Sequence, residues 1–262
     1  MTRFNPHGWT GAEKTVTTHM NREQAITEAF VSLTDTVADD VDPLTLLRRL
    51  ADHCVRLTAM DAAGVMLVNA RGRLQSVVVT EDRVELTEMF QVQVSEGPCI
   101  DAYVTGEPVH ADDLATDGDR WPVFTPLAEA AGFSAAHSFP LQLRSQNIGA
   151  LNLLARTPTP VPPEDSRLLQ ALAGTATTSV LTWSREPLRP YDIVTRTQAA
   201  LSGKAVLDIA AGMLAATAHI TPSEGEQKLR AYAAAHDQRP ADIADDLVRR
   251  RLTPHAVLTP AP

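Results

Sequence analysis

One change in hydrophobic period constrains this chain more than any other feature. Up to about residue 155, short valine-rich and apolar runs alternate with helical stretches; from Asp192 onward there are no strand signals. Pro187 and Pro190 fall between the two regimes and break the helical pattern there. A chain of 262 residues is long enough for one large and one small domain.

The first regime predicts a helix over Asn21 to Asp39. A second helix follows behind Asp42-Pro43, which reads as an N-cap with proline at the first helical position. Ala62 to Val68 is a buried strand, Asn69 to Gly72 a turn, and Leu74 to Thr80 the paired strand of a hairpin. Helical spacing resumes over Glu81 to Val94. Gly97-Pro98 opens a short helix, and Pro108 to Asp112 is a brief strand. A short helix spans Thr125 to Gly132. Ala135 to Leu143 and Asn147 to Ala155 form two more strands, and Glu164 to about Trp183 a closing helix. This is an α+β class: an antiparallel sheet of five or six strands flanked by helices.

The second regime predicts three helices. Ile193 to Ala218 is long and rich in alanine and leucine. Thr221-Pro222-Ser223-Glu224 is a capping box that opens the next, and Arg239-Pro240 opens the third. The expected boundaries are a flexible tail over 1–20, a first domain over 21–186, a linker over 187–191, a helical domain over 192–252 and a disordered tail over 253–262.

Composition excludes several classes. With 44% hydrophobic and 21% charged residues a packed core is expected rather than disorder. No run of about 20 apolar residues predicts a membrane span, and the first residues hold no secretory core. Two cysteines, Cys54 and Cys99, make no disulfide framework, so a reduced, cytoplasmic protein is expected. The net charge of −9 argues against indiscriminate nucleic-acid binding. Residues 191–252 are neutral, with eight acidic and eight basic side chains, so the rest of the chain carries the whole excess. There is no phosphate-binding glycine loop, nucleophile elbow or HExxH motif, and an enzyme is not expected. No cofactor or metal is expected either, since no spaced Cys/His pair occurs.

Three stretches make the first domain resemble a GAF domain of the kind joined to ANTAR domains in actinomycete regulators. They are Glu96-Gly97-Pro98-Cys99-Ile100-Asp101-Ala102, Arg120-Trp121-Pro122 and Ile148-Gly149-Ala150-Leu151-Asn152-Leu153. The region from 192 to 252 resembles an ANTAR domain at Ala200-Leu201, Val206-Leu207-Asp208, Ala210, Gly212-Met213-Leu214, Glu224, Leu229, Ala233, Arg239 and Asp242-Ile243-Ala244. The resemblance implies a transcription antitermination regulator that binds hairpins in nascent RNA as a homodimer, under control of the attached sensor. The chain departs from that family's usual pattern at Ala211, where lysine is usual, at Lys204, where arginine is common, and at Ala215, where methionine is usual. A lost lysine removes a charge for a phosphate. The alternative is a protein–protein signalling or dimerisation module that has lost RNA binding.

Structured RNA is held by basic side chains on phosphates and by stacking on unpaired bases. Arg196, Lys204, Lys228, Arg230 and Arg239 are the candidate cations and Tyr232 the candidate stacking residue. Each also fits a solvated helical surface, and Tyr232 fits the core. Arg249-Arg250-Arg251 fits either a phosphate grip or a helix C-terminus complementing its dipole. A small-molecule or redox signal is expected in a pocket between sheet and helices, lined by Phe90, Cys99, Trp121, Phe124 and His137. Cys99 stands at a helix start, a place that lowers a thiol pKa, so it is the redox candidate; the plainer reading is a small residue packed under the loop. His137 fits a hydrogen-bonded core histidine better than a metal ligand. Asp112-Asp113, Asp117 and Asp119 fit turn caps better than a cation site.

Overall fold

The computed structural model describes residues 11–35, 42–143, 146–182 and 192–259. The expected 187–191 linker lies outside these residues, as does Trp183.

Five strands form one antiparallel sheet among the described residues: β1 (Ala62–Val68), β2 (Leu74–Val79), β3 (Val109–Ala111), β4 (Ala135–Leu143) and β5 (Gln146–Ala155), in the order β2-β1-β5-β4-β3. β5 is central, as its run of apolar residues predicts, and pairs Leu151 with Val65 on one side and with Phe139 on the other. Both faces are covered. α1 (Gly11–Thr34), α2 (Pro43–Leu57) and α6 (Pro163–Thr182) pack together on one face, while α3 (Asp82–Val94), α4 (Pro98–Thr105) and α5 (Phe124–Ala130) cover the other.

The period of two decides which side chain goes where. Val65, Leu67, Phe139, Leu151 and Leu153 share one core with Leu46, Leu50, Leu169 and Leu172. Ala62, Ala136 and Leu154, one residue out of step, meet Trp121, Phe124 and Phe133 on the other side. Gly149 is required at the crossing of β5 and β1, because a Cβ there would lie 2.0 Å from the Met66 carbonyl oxygen.

Local signals set the helix starts. Asp42 accepts the Thr45 N–H at 2.8 Å ahead of α2. Thr221 and Glu224 form the reciprocal capping box ahead of α8 (Pro222–Ala235). α7 (Asp192–Ala218), α8 and α9 (Pro240–Val248) make the three-helix unit, with Leu207, Ala210, Leu214, Leu229, Ile243 and Leu247 buried. Within α7, Leu201–Ala218 meets the length and composition test for a membrane span at a mean hydropathy of 1.3. One side of it packs against α8 and α9, burying Leu207, Ala210, Ala211, Leu214 and Ala215, and the rest of the stretch is partly or fully exposed.

Two boundaries differ from expectation. α1 begins at Gly11, inside the segment expected to be a flexible tail, because no proline or glycine interrupts the chain from Ala12 to Thr34. The tail expected to be disordered from Thr253 holds α10 (Pro254–Leu258). Its proline stands in the first turn, where the missing N–H costs nothing, and Val257 is buried.

Candidate functional site

Under α3 and α4 the interior of the first domain holds a short polar chain. Ser138 donates to Asn152 Oδ1 at 2.8 Å, and Asn152 donates through Nδ2 to Glu88 Oε1 at 3.1 Å. Glu88 is fully buried, and its Oε2 has no hydrogen-bond partner among the described residues. Burial pushes its carboxyl up to about 7, against the pull of its hydrogen bonds.

Cys99 borders this interior. Its N–H donates to Gln91 Oε1 at 2.9 Å, and its thiol lies 3.3 Å from Met66 Sδ. The position at the start of α4 is as expected, but the expected activation is not found. The thiol is buried, and burial, reinforced by the Glu88 charge, pushes its pKa up rather than down. Cys54 is likewise buried in the core.

The segments that carry the GAF resemblance brace one another. Glu96 Oε1 accepts the N–H groups of Val123 and Phe124 at 2.8 and 2.9 Å, holding the start of α5. Trp121 donates its indole N–H to Asp101 Oδ2 at 3.0 Å, and the Arg120 guanidinium lies 4.1 Å from the Trp121 ring centre. Trp121 and Phe124 are buried on the same side of the sheet as Cys99. Phe90 belongs to α3, but its side chain lies outside the described residues.

His137 does not join this group. Ser138 points toward Asn152 and Glu88, so its neighbour His137 faces the opposite side of the sheet, toward α6. There its Nε2 donates to the Thr159 carbonyl at 2.9 Å, which leaves Nδ1 to accept from His110 Nδ1 at 3.1 Å. His110 Nε2 in turn lies 3.3 Å from Ser166 Oγ. Burial lowers the pKa of His137. The alternation of β4, not the composition of the pocket, decides where it sits. Asp113 caps the turn after β3 through the Ala115 N–H at 3.0 Å. Among the described residues no group of three His, Cys, Asp or Glu side chains is placed to hold a metal ion.

Two of the candidate RNA contacts face the first domain. Lys204 Nζ lies 3.8 Å from Glu85 Oε1 and 3.1 Å from Asp208 Oδ1. Arg230 Nη2 lies 2.7 Å from Glu226 Oε1, which also meets Arg48 Nη2 of α2 at 2.8 Å. Burial would raise the Glu226 pKa, but Arg48 and Arg230 outweigh it and hold the carboxyl below its ordinary value. These groups border a cleft of about 280 Å³ between α2, the β2 edge, α7 and α8, with Leu44, Val77, Val79, Leu207 and Ala211 among its walls. Ala211 is buried there.

The other candidates lie elsewhere. Lys228 is exposed on α8. Arg239 holds Asp242 with two hydrogen bonds of 2.8 Å. Tyr232 is partly buried and stacks on His236 with ring centres 3.9 Å apart, so it is neither a free platform nor a full core residue. Arg196 lies in α7, its side chain outside the described residues. Arg249 and Arg251 pair with Asp245 and Asp246. The interdomain pairs escaped the sequence because Arg48 and Glu226 are 178 residues apart. The buried glutamate escaped because a charged residue within the helical spacing of α3 reads as solvent-facing; the one signal was Asn152, a polar residue in an otherwise apolar central strand, which needs a partner.

The GAF domain model matches residues 40–180 and the ANTAR domain model residues 195–248. No curated protein matches the chain. The GAF domain of a phosphoenolpyruvate-protein phosphotransferase from Coxiella burnetii superposes with a TM-score of 0.50 at 13% identity, covering 62% of this chain and 93% of that one. That likeness bears on the fold alone. Two others are more distant. The GAF domain of the Acinetobacter phosphoenolpyruvate-protein phosphotransferase has a TM-score of 0.47 at 13% identity, over 60% of this chain and 90% of that one. The type II free methionine-R-sulfoxide reductase of Thermoplasma acidophilum has a TM-score of 0.42 at 17% identity, over 54% and 97%. With more than half its length matched by the sensor model and its C-terminal helices by the second, the chain belongs to the GAF domain family and carries an ANTAR domain behind its sensor.

Proposed function

We propose that this protein is a signal-responsive transcription antitermination regulator. Its ANTAR domain binds hairpins in nascent RNA, and its GAF domain, through a small-molecule signal, sets when it can do so. The protein acts in the cytoplasm as a homodimer. The observation that carries this reading is the union of a sensor fold with an ANTAR helical unit that bears Lys204, Lys228, Arg230 and Arg239. A signal acts by binding one arrangement of the two domains better than another. The test is a titration of the full chain against RNA carrying two tandem hairpins, at two salt concentrations, with Lys228→Ala beside it. Binding that weakens steeply with salt, and with a smaller slope in the variant, supports the reading. Folded protein that binds no such RNA at either salt, with candidate signals present, refutes it.

A second reading has its own support. Ala211 supplies no charge, and Lys204, Arg230 and Arg239 are already paired with carboxylates. A protein–protein or dimerisation module would need none of them free. Salt-insensitive self-association without RNA binding would favour it.

A further inference from the structure

The cleft between the domains is bordered by the same helices that carry the candidate RNA contacts. Lys204 comes from α7, and Arg230 and Glu226 from α8. Arg48 comes from α2, and Glu85 from α3. Leu44 of α2 packs close to Gly203, where a Cβ would meet its Cδ1 at 3.4 Å. Arg48 spans the gap, donating to the Val79 carbonyl of the β2 edge at 3.2 Å and to Glu226 at 2.8 Å. The Lys204 side chain is 19% exposed and that of Arg230 24%.

We propose that this α7–α8 face is a docking surface for the chain's own sensor domain, and that RNA and sensor compete for it. The inference rests on the antiterminator reading above. The competition has two physical sources. The sensor covers the face, so a hairpin cannot approach Lys204 while α2 and β2 lie against it. The carboxylate of Glu85, which the sensor brings to Lys204, also stands where a phosphate would have to come, and like charges exclude one another. Partly exposed ion pairs are individually weak. A signal that shifts α2 or α3 therefore needs only modest differential affinity to release the face.

The occupied face makes RNA affinity depend on the fraction of molecules that are open. The full chain is compared with Glu85→Lys, which places a cation against Lys204, and with Arg48→Ala. Each variant is first checked for a cooperative thermal transition, so that a misfolded one is replaced by the other. Two quantities are measured at one ionic strength: affinity for a two-hairpin RNA, and hydrogen exchange across Val77–Thr80, the residues of the β2 edge that line the cleft. The expected result is RNA binding about tenfold tighter or more in the variants, which is the gain when the open fraction rises from about a tenth to near one. Faster exchange at Val77–Thr80 is expected in the variants, and in the wild type when RNA is added. Variants that bind no better although their edge exchanges faster overturn the competition and leave the antiterminator reading standing. Variants whose edge exchanges no faster, or wild type whose edge is unchanged by bound RNA, overturn the docking itself. No RNA binding by any form, with the edge opened in the variants, overturns the antiterminator reading and this competition with it.

Discussion

The Glu88 carboxyl occupies the space that a side chain at residue 64 would need: a Cβ on Gly64 would lie 2.1 Å from Glu88 Oε1. The glycine in β1 lets a helix lay an acid on the face of a sheet. The acid is held there by Asn152 and is raised to about 7 by burial.

That raised value fixes the sign of a pH effect. In the unfolded chain Glu88 titrates near 4.5 and in the folded chain near 7, so the folded state binds the extra proton between those values. Its contribution is full below 4.5 and is lost as pH rises through 7. The loss is on the order of 3 kcal/mol at most. Glu88→Gln keeps the hydrogen bond from Asn152 and removes the titration. Thermal unfolding at pH 5 and pH 8 should show a smaller fall in stability in the variant than in the wild type; equal falls would place the titrating group elsewhere.

Cys99 and Cys54 should both resist alkylation in the native protein. Each is buried with its thiol pKa pushed up, so little thiolate forms and reagents cannot reach it. Mass spectrometry after a timed iodoacetamide pulse should show modification only when denaturant is added. Rapid native labelling of Cys99 would restore the redox role.

Gly225→Ala should destabilise the ANTAR domain. At this contact α8 lies so close to α7 that the new methyl would sit 2.5 Å from the Ala211 carbonyl oxygen. Backbone cannot move aside cheaply, and overpacking of this kind costs about 1–3 kcal/mol. Chemical denaturation followed by helical circular dichroism measures it; a variant as stable as the wild type would mean that the helices are further apart than this.

Glu96→Ala should loosen the start of α5. Two backbone N–H groups lose their acceptor, a loss comparable to that of an N-cap, about 1–2 kcal/mol. Glu96→Gln keeps an oxygen acceptor and should recover part of it. Identical unfolding midpoints for all three proteins would show that the brace is without energetic weight.

What could be read from the residues is what depends on local periodicity. The hairpin before α3, the Asp42 cap and the Thr221–Glu224 box all follow from neighbours a few positions apart. The face occupied by His137 needed β4 to be fixed against β5 before its alternation had a direction. The start of α1 needed no missing signal, only the weight given to an uninterrupted helical stretch. Lys204 shows the limit best: its position in α7 was legible, while its partner Glu85 belongs to a helix more than a hundred residues earlier.

β2 ends the sheet, and an end strand presents backbone donors and acceptors with no neighbour. Here Arg48 takes one of those carbonyls and α7 packs alongside. The helical domain is thus also a lid against unwanted strand pairing. A sensor severed before α7 loses that shield, and its bare margin becomes a template on which copies can stack edge to edge.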